Sequence, residues 1–207
     1  MLCHVDHPLV EHKLSLLRER STSTADFRRV VNELTALLTY EATQEFPTEQ
    51  VEIETPLERT TVRRISGKKV AVVPVLRAGL GMLDGVLSLV SGARVGFIGL
   101  YRDEESLQPV EYYLKLPADL AERDAIVLDP MLATGNSAAR AIAAAKAAGA
   151  RSVTLVCLVA APEGIAHLEA LHPEVRIYCA AVDRELDERG FIVPGLGDAG
   201  DRLYGTK

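Results

Sequence analysis

Residues 125–149 read AIVLDPMLATGNSAARAIAAAKAAG and combine a short apolar run, a loop and a helix-forming segment. Ala125–Leu128 is continuously apolar, which is typical of a strand buried on both faces of a parallel sheet. Ser137–Ala148 is almost all alanine, the best helix former, and Gly149 suits the position after a helix end. The stretch therefore predicts strand, loop and helix in succession, as in an α/β sheet with crossover connections.

The same pattern recurs along the rest of the chain. Other apolar runs rich in β-branched residues predict further buried strands at Val70–Leu76, Val95–Leu100, Val153–Ala160 and Val175–Val182. Helical segments lie between these runs at Leu80–Val90 and Pro162–Leu171. Alternation of strands and helices predicts a mostly parallel central sheet that is flanked by helices.

Three segments lie outside this alternation. Apolar residues at helical spacing predict helices over residues 8–46, with a break and an N-cap within Ser21–Thr24. Alternating residues at 51–65 predict a short strand or arm, and the polar segment Tyr101–Pro117 predicts a hairpin lying over the sheet. We expect a single domain over 1–207, with an N-terminal helical extension at 1–50 and a distinct C-terminal segment at 183–207.

Composition excludes several classes of protein. Of the 207 residues, 48% are hydrophobic and 25% charged, as in an ordinary globular protein, so wholesale disorder is excluded. No apolar run reaches the ~18 residues of a membrane span, and MLCHVDHPLVEHK at 1–13 does not resemble a signal peptide. A net charge of −6 argues against a general nucleic-acid binder. Three scattered cysteines fit a reduced, cytoplasmic protein.

The loop Asp129–Ser137 is the first candidate site. Ligands of open α/β sheets bind beyond the carboxyl ends of the strands, and this loop leads from a strand into a helix. Small residues, hydroxyl groups and free amides at a helix N-terminus favour a phosphate group, and the Asp129 carboxylate suits a ribose diol. The alternative is an ordinary strand-to-helix turn in which Thr134 or Ser137 caps the helix.

Two arginines follow other predicted strands. Arg77 lies in a tight turn with Gly79 and Gly81, which would allow the backbone to approach an anion closely. Arg102, in YRDEE at 101–105, would add a second cation at the same edge. The alternatives are a surface arginine in a turn and a solvated run of charges.

Other motifs are interpreted as structural. Gly195–Gly200 fits G-x-G-x-x-G, but too few residues follow it for the βαβ unit that dinucleotide binding requires. The terminal histidines lack metal-ligand spacing and are predicted to be exposed polar residues: His4, His7 and His12. Cys157 and Cys179 lie inside apolar runs and are predicted to be packing residues.

Three separated segments together resemble the uracil phosphoribosyltransferases, a type I phosphoribosyltransferase family. They are VVPVLRAGLGM (72–82), VLDPMLATGNSA (127–138) and FIVPGLGDAGDRLYGTK (191–207), supported by LLTYEAT (37–43) and CLVAAPEGI (157–165). The resemblance implies a type I phosphoribosyltransferase fold with N-terminal helices and a β-arm or hood over the carboxyl edge. It also implies transfer of phosphoribose from phosphoribosyl pyrophosphate (PRPP) to uracil, giving uridine monophosphate (UMP) and pyrophosphate in pyrimidine salvage.

The resemblance also implies roles for individual residues. Arg77, Asp129 and Asp198 would be catalytic, and uracil would bind at Ile192, Gly197, Asp198 and Ala199, largely through backbone groups. The residues implied for PRPP binding are Arg77, Arg102, Asp129, Pro130, Met131, Leu132, Ala133, Thr134, Gly135, Asn136, Ser137 and Asp198. The family usually has glycine where this chain has Asn136, and asparagine tolerates left-handed backbone better than other non-glycine residues.

Cofactors and partners follow from the same resemblance. Mg²⁺ would arrive with PRPP, GTP would be an effector as in some relatives, and the chain would form a homodimer or larger homo-oligomer. No metal site made by protein ligands alone, no membrane and no nucleic-acid partner are expected. Two alternatives stay open: a phosphoribosyltransferase for another base, and a non-catalytic relative that binds nucleotide, with or without RNA.

Overall fold

The structure is a computed structural model that describes residues 1–67, 70–102 and 109–206, and the side chains at 102 and 109 lie outside the description. Its strands are β1 (Leu2–His4), β2 (Thr48–Glu54), β3 (Arg59–Ile65), β4 (Val70–Leu76), β5 (Arg94–Val95), β6 (Phe97–Arg102), β7 (Pro109–Lys115), β8 (Asp124–Leu128), β9 (Met131–Leu132), β10 (Ser152–Ala160), β11 (Arg176–Val182), β12 (Glu185–Leu186) and β13 (Ile192–Val193). Its α-helices are α1 (Pro8–Arg18), α2 (Thr24–Ala42), α3 (Leu83–Leu89), α4 (Asn136–Ala147), α5 (Pro162–Leu171) and α6 (Ala199–Tyr204). A 3₁₀ turn, Ala78–Met82, precedes α3.

The central sheet has the strand order β1-β11-β10-β8-β4-β6-β7, and β5 and β9 pair with β4 and β10. Every pairing is parallel except that of β6 with β7, which confirms the predicted mostly parallel sheet. The edge strand β1 was not predicted, because three residues are too few to show a periodicity. The predicted run Val95–Leu100 is divided at Gly96 between β5 and β6.

Both faces of the sheet are buried, which explains why its strands are continuously apolar. In β4, Val70 and Val72 face a core that is shared with α1, α2, α3 and α6. Ala71 and Val73 face the opposite core, which contains α4 and α5. Cys157 and Cys179 are fully buried in this second core, as packing residues should be.

The N-terminal helices break where the sequence predicts. Ser23 is the N-cap of α2, and its side chain accepts a hydrogen bond from the Asp26 amide. One face of α2 is covered completely, with Phe27, Leu34 and Leu38 fully buried. No helix in the described ranges has the length and apolarity of a membrane span.

Two hairpins differ in detail from the predictions. The arm predicted at 51–65 is an antiparallel pair, β2 and β3, joined by a turn at Thr55–Glu58. The prediction that Tyr101–Pro117 forms a hairpin lying over the sheet is wrong about where the hairpin lies. Its second strand, β7, pairs with β6 and becomes the edge of the sheet, because the free side of β6 offers backbone hydrogen-bonding groups.

Candidate active site

The turn after β8 places Asp129 at the carboxyl end of a central strand. Its Oδ1 accepts a hydrogen bond of 3.3 Å from the Met131 amide, and its own amide donates to the Val156 carbonyl. Burial raises the pKa of Asp129 from 3.8 to about 7, and the hydrogen bond from Met131 only partly opposes this shift. The Asp129 carboxyl therefore changes its charge near neutral pH.

The loop ends in an open helix N-terminus. Gly135 is the N-cap of α4 with φ +83°, and no side chain caps the helix, so neither Thr134 nor Ser137 plays the capping role considered above. The first turn of α4 thus offers amide N–H groups to an anion. Asn136 is the first helical residue, so the left-handed conformation falls on Gly135 and the expectation that Asn136 must tolerate it is corrected.

The start of α5 supports the loop from the side. A Cβ on Gly164 would lie 2.3 Å from the Ala133 carbonyl oxygen, so only glycine permits this approach. A Cβ on Gly135 would in turn lie 2.9 Å from the Gly164 carbonyl oxygen. The loop therefore packs closely against Gly164 at both Ala133 and Gly135, and this contact fixes the position of its amides.

The turn after β4 carries Arg77, which is exposed, and Gly79, which is buried. Its glycines serve packing within the chain rather than approach to an anion, contrary to the expectation from sequence. A Cβ on Gly79 would lie 2.3 Å from the Leu128 carbonyl oxygen, and a Cβ on Gly81 would lie 2.7 Å from the Leu203 side chain. The two glycines therefore let the turn pack directly against the end of β8 and against α6, next to the Asp129 loop.

The C-terminal segment lies over the carboxyl edge of the sheet. Its strands β12 and β13 form a small antiparallel pair, after which a cis Val193–Pro194 bond leads into a glycine-rich loop. Asp198 ends this loop as the N-cap of α6, and its Oδ1 accepts from the Asp201 amide at 2.9 Å. A short helix, which the sequence did not predict, therefore follows the glycine-rich motif.

A cavity of about 240 Å³ lies between the Asp129 turn and the C-terminal segment. The predicted site residues that line it are Asp129, Pro130, Met131, Ala133, Ile192, Gly197, Asp198 and Ala199. Arg77 is adjacent through Ala78, whereas the side chain of Leu132 is buried in the core. The side chain of Arg102 falls outside the described residues.

Sequence reasoning missed four residues that line this cavity: Ala78, Gly190, Phe191 and Gly200. Phe191 is the largest of them and is 42% exposed, with the Arg189 guanidinium 5.6 Å from its ring centroid. An aromatic residue directly before Ile192 was the available signal, since a planar ring beside a predicted base site can contact a base face.

Comparison with known proteins supports one assignment. A family model described as "Uracil phosphoribosyltransferase" matches residues 4–206. The chain belongs to the uracil phosphoribosyltransferase family. A relative with that name from Clostridium botulinum (strain Eklund 17B / Type B) is 61% identical over 203 residues, covering 98% of this chain and 97% of the relative.

Solved structures share the fold of this uracil phosphoribosyltransferase family member. The AQ2163 protein from Aquifex aeolicus superposes with a TM-score of 0.96 and 38% identity, covering 100% of this chain and 99% of the other. Hypoxanthine phosphoribosyltransferase from Trypanosoma cruzi superposes with a TM-score of 0.52 at 10% identity, over 77% of this chain and 75% of the other. The second likeness shows the fold alone, and it confirms the predicted phosphoribosyltransferase architecture.

Proposed function

We propose that this protein transfers the 5-phosphoribosyl group of PRPP to uracil and releases UMP and pyrophosphate. The observation that carries the proposal is the cavity that joins Asp129 at the end of β8 to Gly197 and Asp198 in the C-terminal segment. One wall ends at Ala133, two residues before the uncapped N-terminus of α4, which suits a phosphate although residues 134–137 do not line the cavity themselves. The other wall is a glycine-rich loop suited to a small base. The family assignment supports this combination of substrates.

The donor binds along the loop after β8. The amides from Ala133 to Ser137 hold the 5′-phosphate at the N-terminus of α4, where the helix dipole favours negative charge. The Asp129 carboxylate accepts hydrogen bonds from the ribose hydroxyls. Burial raises the pKa of Asp129 to about 7 and so disfavours its charged form. Hydrogen bonds from two ribose hydroxyls would oppose this effect and favour the carboxylate.

The leaving group needs positive charge. Arg77 directly precedes Ala78, which lines the cavity, and Arg102 is proposed as a second cation. Both guanidiniums would contact the diphosphate. The carboxylates of Asp129 and Asp198 line the same cavity and fit a Mg²⁺ ion carried by the donor, since such ions use one or two carboxylates and substrate phosphates. When bound there with the donor, Mg²⁺ would supply positive charge to the diphosphate. Among the described residues, no cluster of three or more ligands forms an independent metal site.

Uracil occupies the end of the cavity that is lined by Ile192, Gly197 and Ala199. Backbone N–H and C=O groups there pair with the uracil oxygens and ring N–H. In the reaction N1 of uracil bonds to the anomeric carbon, the bond from that carbon to the diphosphate oxygen breaks, and the N1 proton passes to solvent. Cytosine would leave backbone groups unpaired, a penalty of about 10⁴-fold in specificity.

A steady-state assay of UMP formation with uracil, cytosine, orotate and hypoxanthine tests the proposal. Uracil alone should support turnover, with one pyrophosphate released for each UMP formed. Turnover with another base instead would assign a different phosphoribosyltransferase. Absence of pyrophosphate release with all four bases would favour the non-catalytic alternative.

We further propose GTP as an activator and a homo-oligomer as the working assembly in the cytoplasm. The β2–β3 hairpin supports the assembly. Among the described elements its two strands make extensive contacts only with each other, and Leu57 at its tip is 95% exposed, so the hairpin is available to a second copy of the chain. The three free cysteines support a reducing compartment. Light scattering after size-exclusion chromatography, and turnover with and without GTP, test the first two points.

A further inference from the structure

Two arginines lie beneath the glycine-rich loop that forms the proposed base site, and none of the features above explains them. We call residues 193–198 the base loop. The arginines are Arg18, the last residue of α1, and Arg202 in α6. Neither is among the described residues that line the cavity.

Arg18 forms a forked ion pair with Asp183. Its Nη2 donates to Asp183 Oδ1 at 2.6 Å, and its Nη1 donates to Asp183 Oδ2 at 2.9 Å. The Asp183 side chain is only 5% exposed and that of Arg18 is 26% exposed. A carboxylate buried to this degree requires its partner, so the pair is fixed in position.

The ion pair holds both polar groups of one base-loop residue. Asp183 Oδ2 accepts from the Gly195 amide at 2.8 Å, and Arg18 Nη1 donates to the Gly195 carbonyl at 2.7 Å. Gly195 has φ +60°, and a Cβ there would lie 2.1 Å from the Ile192 carbonyl oxygen. The charged pair therefore fixes both the N–H and the C=O group of Gly195, a position at which only glycine fits.

Arg202 extends the clamp by one residue. Its Nη1 donates to the Leu196 carbonyl at 2.8 Å and also to the Leu17 carbonyl, while Nη2 donates to the Glu19 carbonyl at 2.6 Å. Its guanidinium stacks 4.2 Å from the centroid of the Phe27 ring. Consecutive base-loop carbonyls thus point to arginines, and the next residue along the chain, Gly197, lines the cavity.

This arrangement bears on base recognition. A site built from backbone groups needs its peptide planes held within about 0.5 Å of the productive geometry. Leu196 is the one base-loop side chain that is buried in the core, so side-chain packing gives this glycine-rich loop little support. Charge-assisted hydrogen bonds are the strong substitutes here, being about twice as strong as neutral ones.

We propose that Arg18 and Asp183 are positioning residues for uracil, which set the Gly195 peptide and thereby the cavity-facing groups of the base loop. The inference rests on the proposed function, because it assigns uracil to this loop. PRPP meets mainly other elements in that proposal, the Asp129 loop and the Arg77 turn. Its one base-loop contact is through Asp198, whose carboxylate is held by the Asp201 amide as the N-cap of α6 and not by the Arg18–Asp183 pair. Loss of the pair should therefore weaken the use of uracil selectively.

The test compares KM for uracil with KM for PRPP in R18A, R18K and D183N. We expect R18A and D183N to raise KM for uracil by about 10-fold or more, with KM for PRPP within about 3-fold of the parent protein. R18K keeps the charge but cannot form the fork, so its KM for uracil should lie between those of the parent and R18A. Guanidinium ion at millimolar concentration should partly restore KM for uracil in R18A.

The matched control is the ion pair of Arg151 and Asp124, which is also forked and lies at the amino end of the sheet. R151A should leave both KM values unchanged and give no response to guanidinium. Equal changes in both KM values of the Arg18 and Asp183 variants, or no change in either, would overturn the inference. If R18A does not fold, D183N and R18K decide the matter on the same criterion. Inactivity of the parent protein with uracil would instead refute the proposed function.

Discussion

The Tyr204 hydroxyl donates a hydrogen bond of 2.9 Å to the carbonyl oxygen of Arg77, across 127 positions of the chain. Burial raises the pKa of Tyr204, so the hydroxyl keeps its proton at neutral pH. Leu203, its neighbour in α6, also packs where a Cβ on Gly81 would stand. The short helix that ends the base loop therefore also fixes the turn that carries the proposed diphosphate ligand.

Replacing Tyr204 by phenylalanine should weaken use of PRPP. A side-chain hydrogen bond of this kind contributes about 1 kcal/mol, so Y204F should raise KM for PRPP by about 3- to 10-fold. Steady-state kinetics at saturating uracil measure this. Y40F is the control, because Tyr40 is 70% exposed and lies on α2. Parent-like kinetics in Y204F would show that the contact does not position the Arg77 turn.

Replacing Arg77 itself should impair catalysis more than replacing Tyr204, which only positions the Arg77 turn. Removing a group that stabilises developing charge in a transition state costs about 10²- to 10³-fold in rate, so we expect R77A to lose that much in kcat. R94A is the control, since Arg94 pairs with the amino end of β4 at the opposite edge of the sheet. Loss of less than about 10-fold in R77A would remove Arg77 from the catalytic assignment.

The raised pKa of Asp129 predicts a pH-dependent stability. Between about pH 4 and 7 the folded chain holds a proton on Asp129 that the unfolded chain has lost, so this carboxyl destabilises the fold increasingly as pH rises to about 7. One pKa unit corresponds to about 1.4 kcal/mol, and Asp129 is partly exposed to the cavity, so D129N should gain ~1–2 kcal/mol at pH 8 and less at pH 5. Denaturant unfolding at both pH values measures the gain, while kcat falls.

Asp124 provides the control for this prediction, because its pKa is shifted in the opposite direction to that of Asp129. Burial opposes the shift, but hydrogen bonds from Arg151 and Ser152 lower the pKa of Asp124 below 3.8 overall. Its carboxylate therefore stabilises the fold above pH 4, and that contribution is lost as pH falls through the folded pKa. D124N should be less stable than the parent protein at pH 8. A gain in D124N equal to that in D129N would contradict the burial argument.

The fold was largely predictable because burial on both faces of the sheet leaves continuous apolar runs. The bounds of β4 and α5 agree with the predicted segments Val70–Leu76 and Pro162–Leu171. What escaped prediction depends on distant partners. The edge pairing of β7 is set by β6, and the need for glycine at 79 arises from the Leu128 carbonyl, which no local pattern reveals.

In the candidate site, too, the residues with a local sequence signal were predicted and those that depend on distant partners were not. Asp129 and Asp198 stand next to strong local signals, a strand end and a glycine-rich motif, and the structure places both at one cavity. Phe191 carries no charge and gave no signal except its place in the sequence. The pairing of Arg18 with Asp183 spans 165 positions, so only the fold brings the two together.

The open N-terminus of α4 makes Gly135 more important than Asn136. Alanine at 135 would have to adopt φ near +83°, at a cost of about 1–2 kcal/mol, and its Cβ would lie 2.9 Å from the Gly164 carbonyl oxygen. We expect G135A to lose at least ~2 kcal/mol of stability and to raise KM for PRPP about 10-fold or more. N136G, which restores the residue usual in the family, is the matched variant. Because Asn136 is helical, N136G should cost at most ~1 kcal/mol and leave KM for PRPP within about 3-fold. A larger effect of N136G than of G135A would mean that the left-handed position, and with it the open set of amides, had been assigned to the wrong residue.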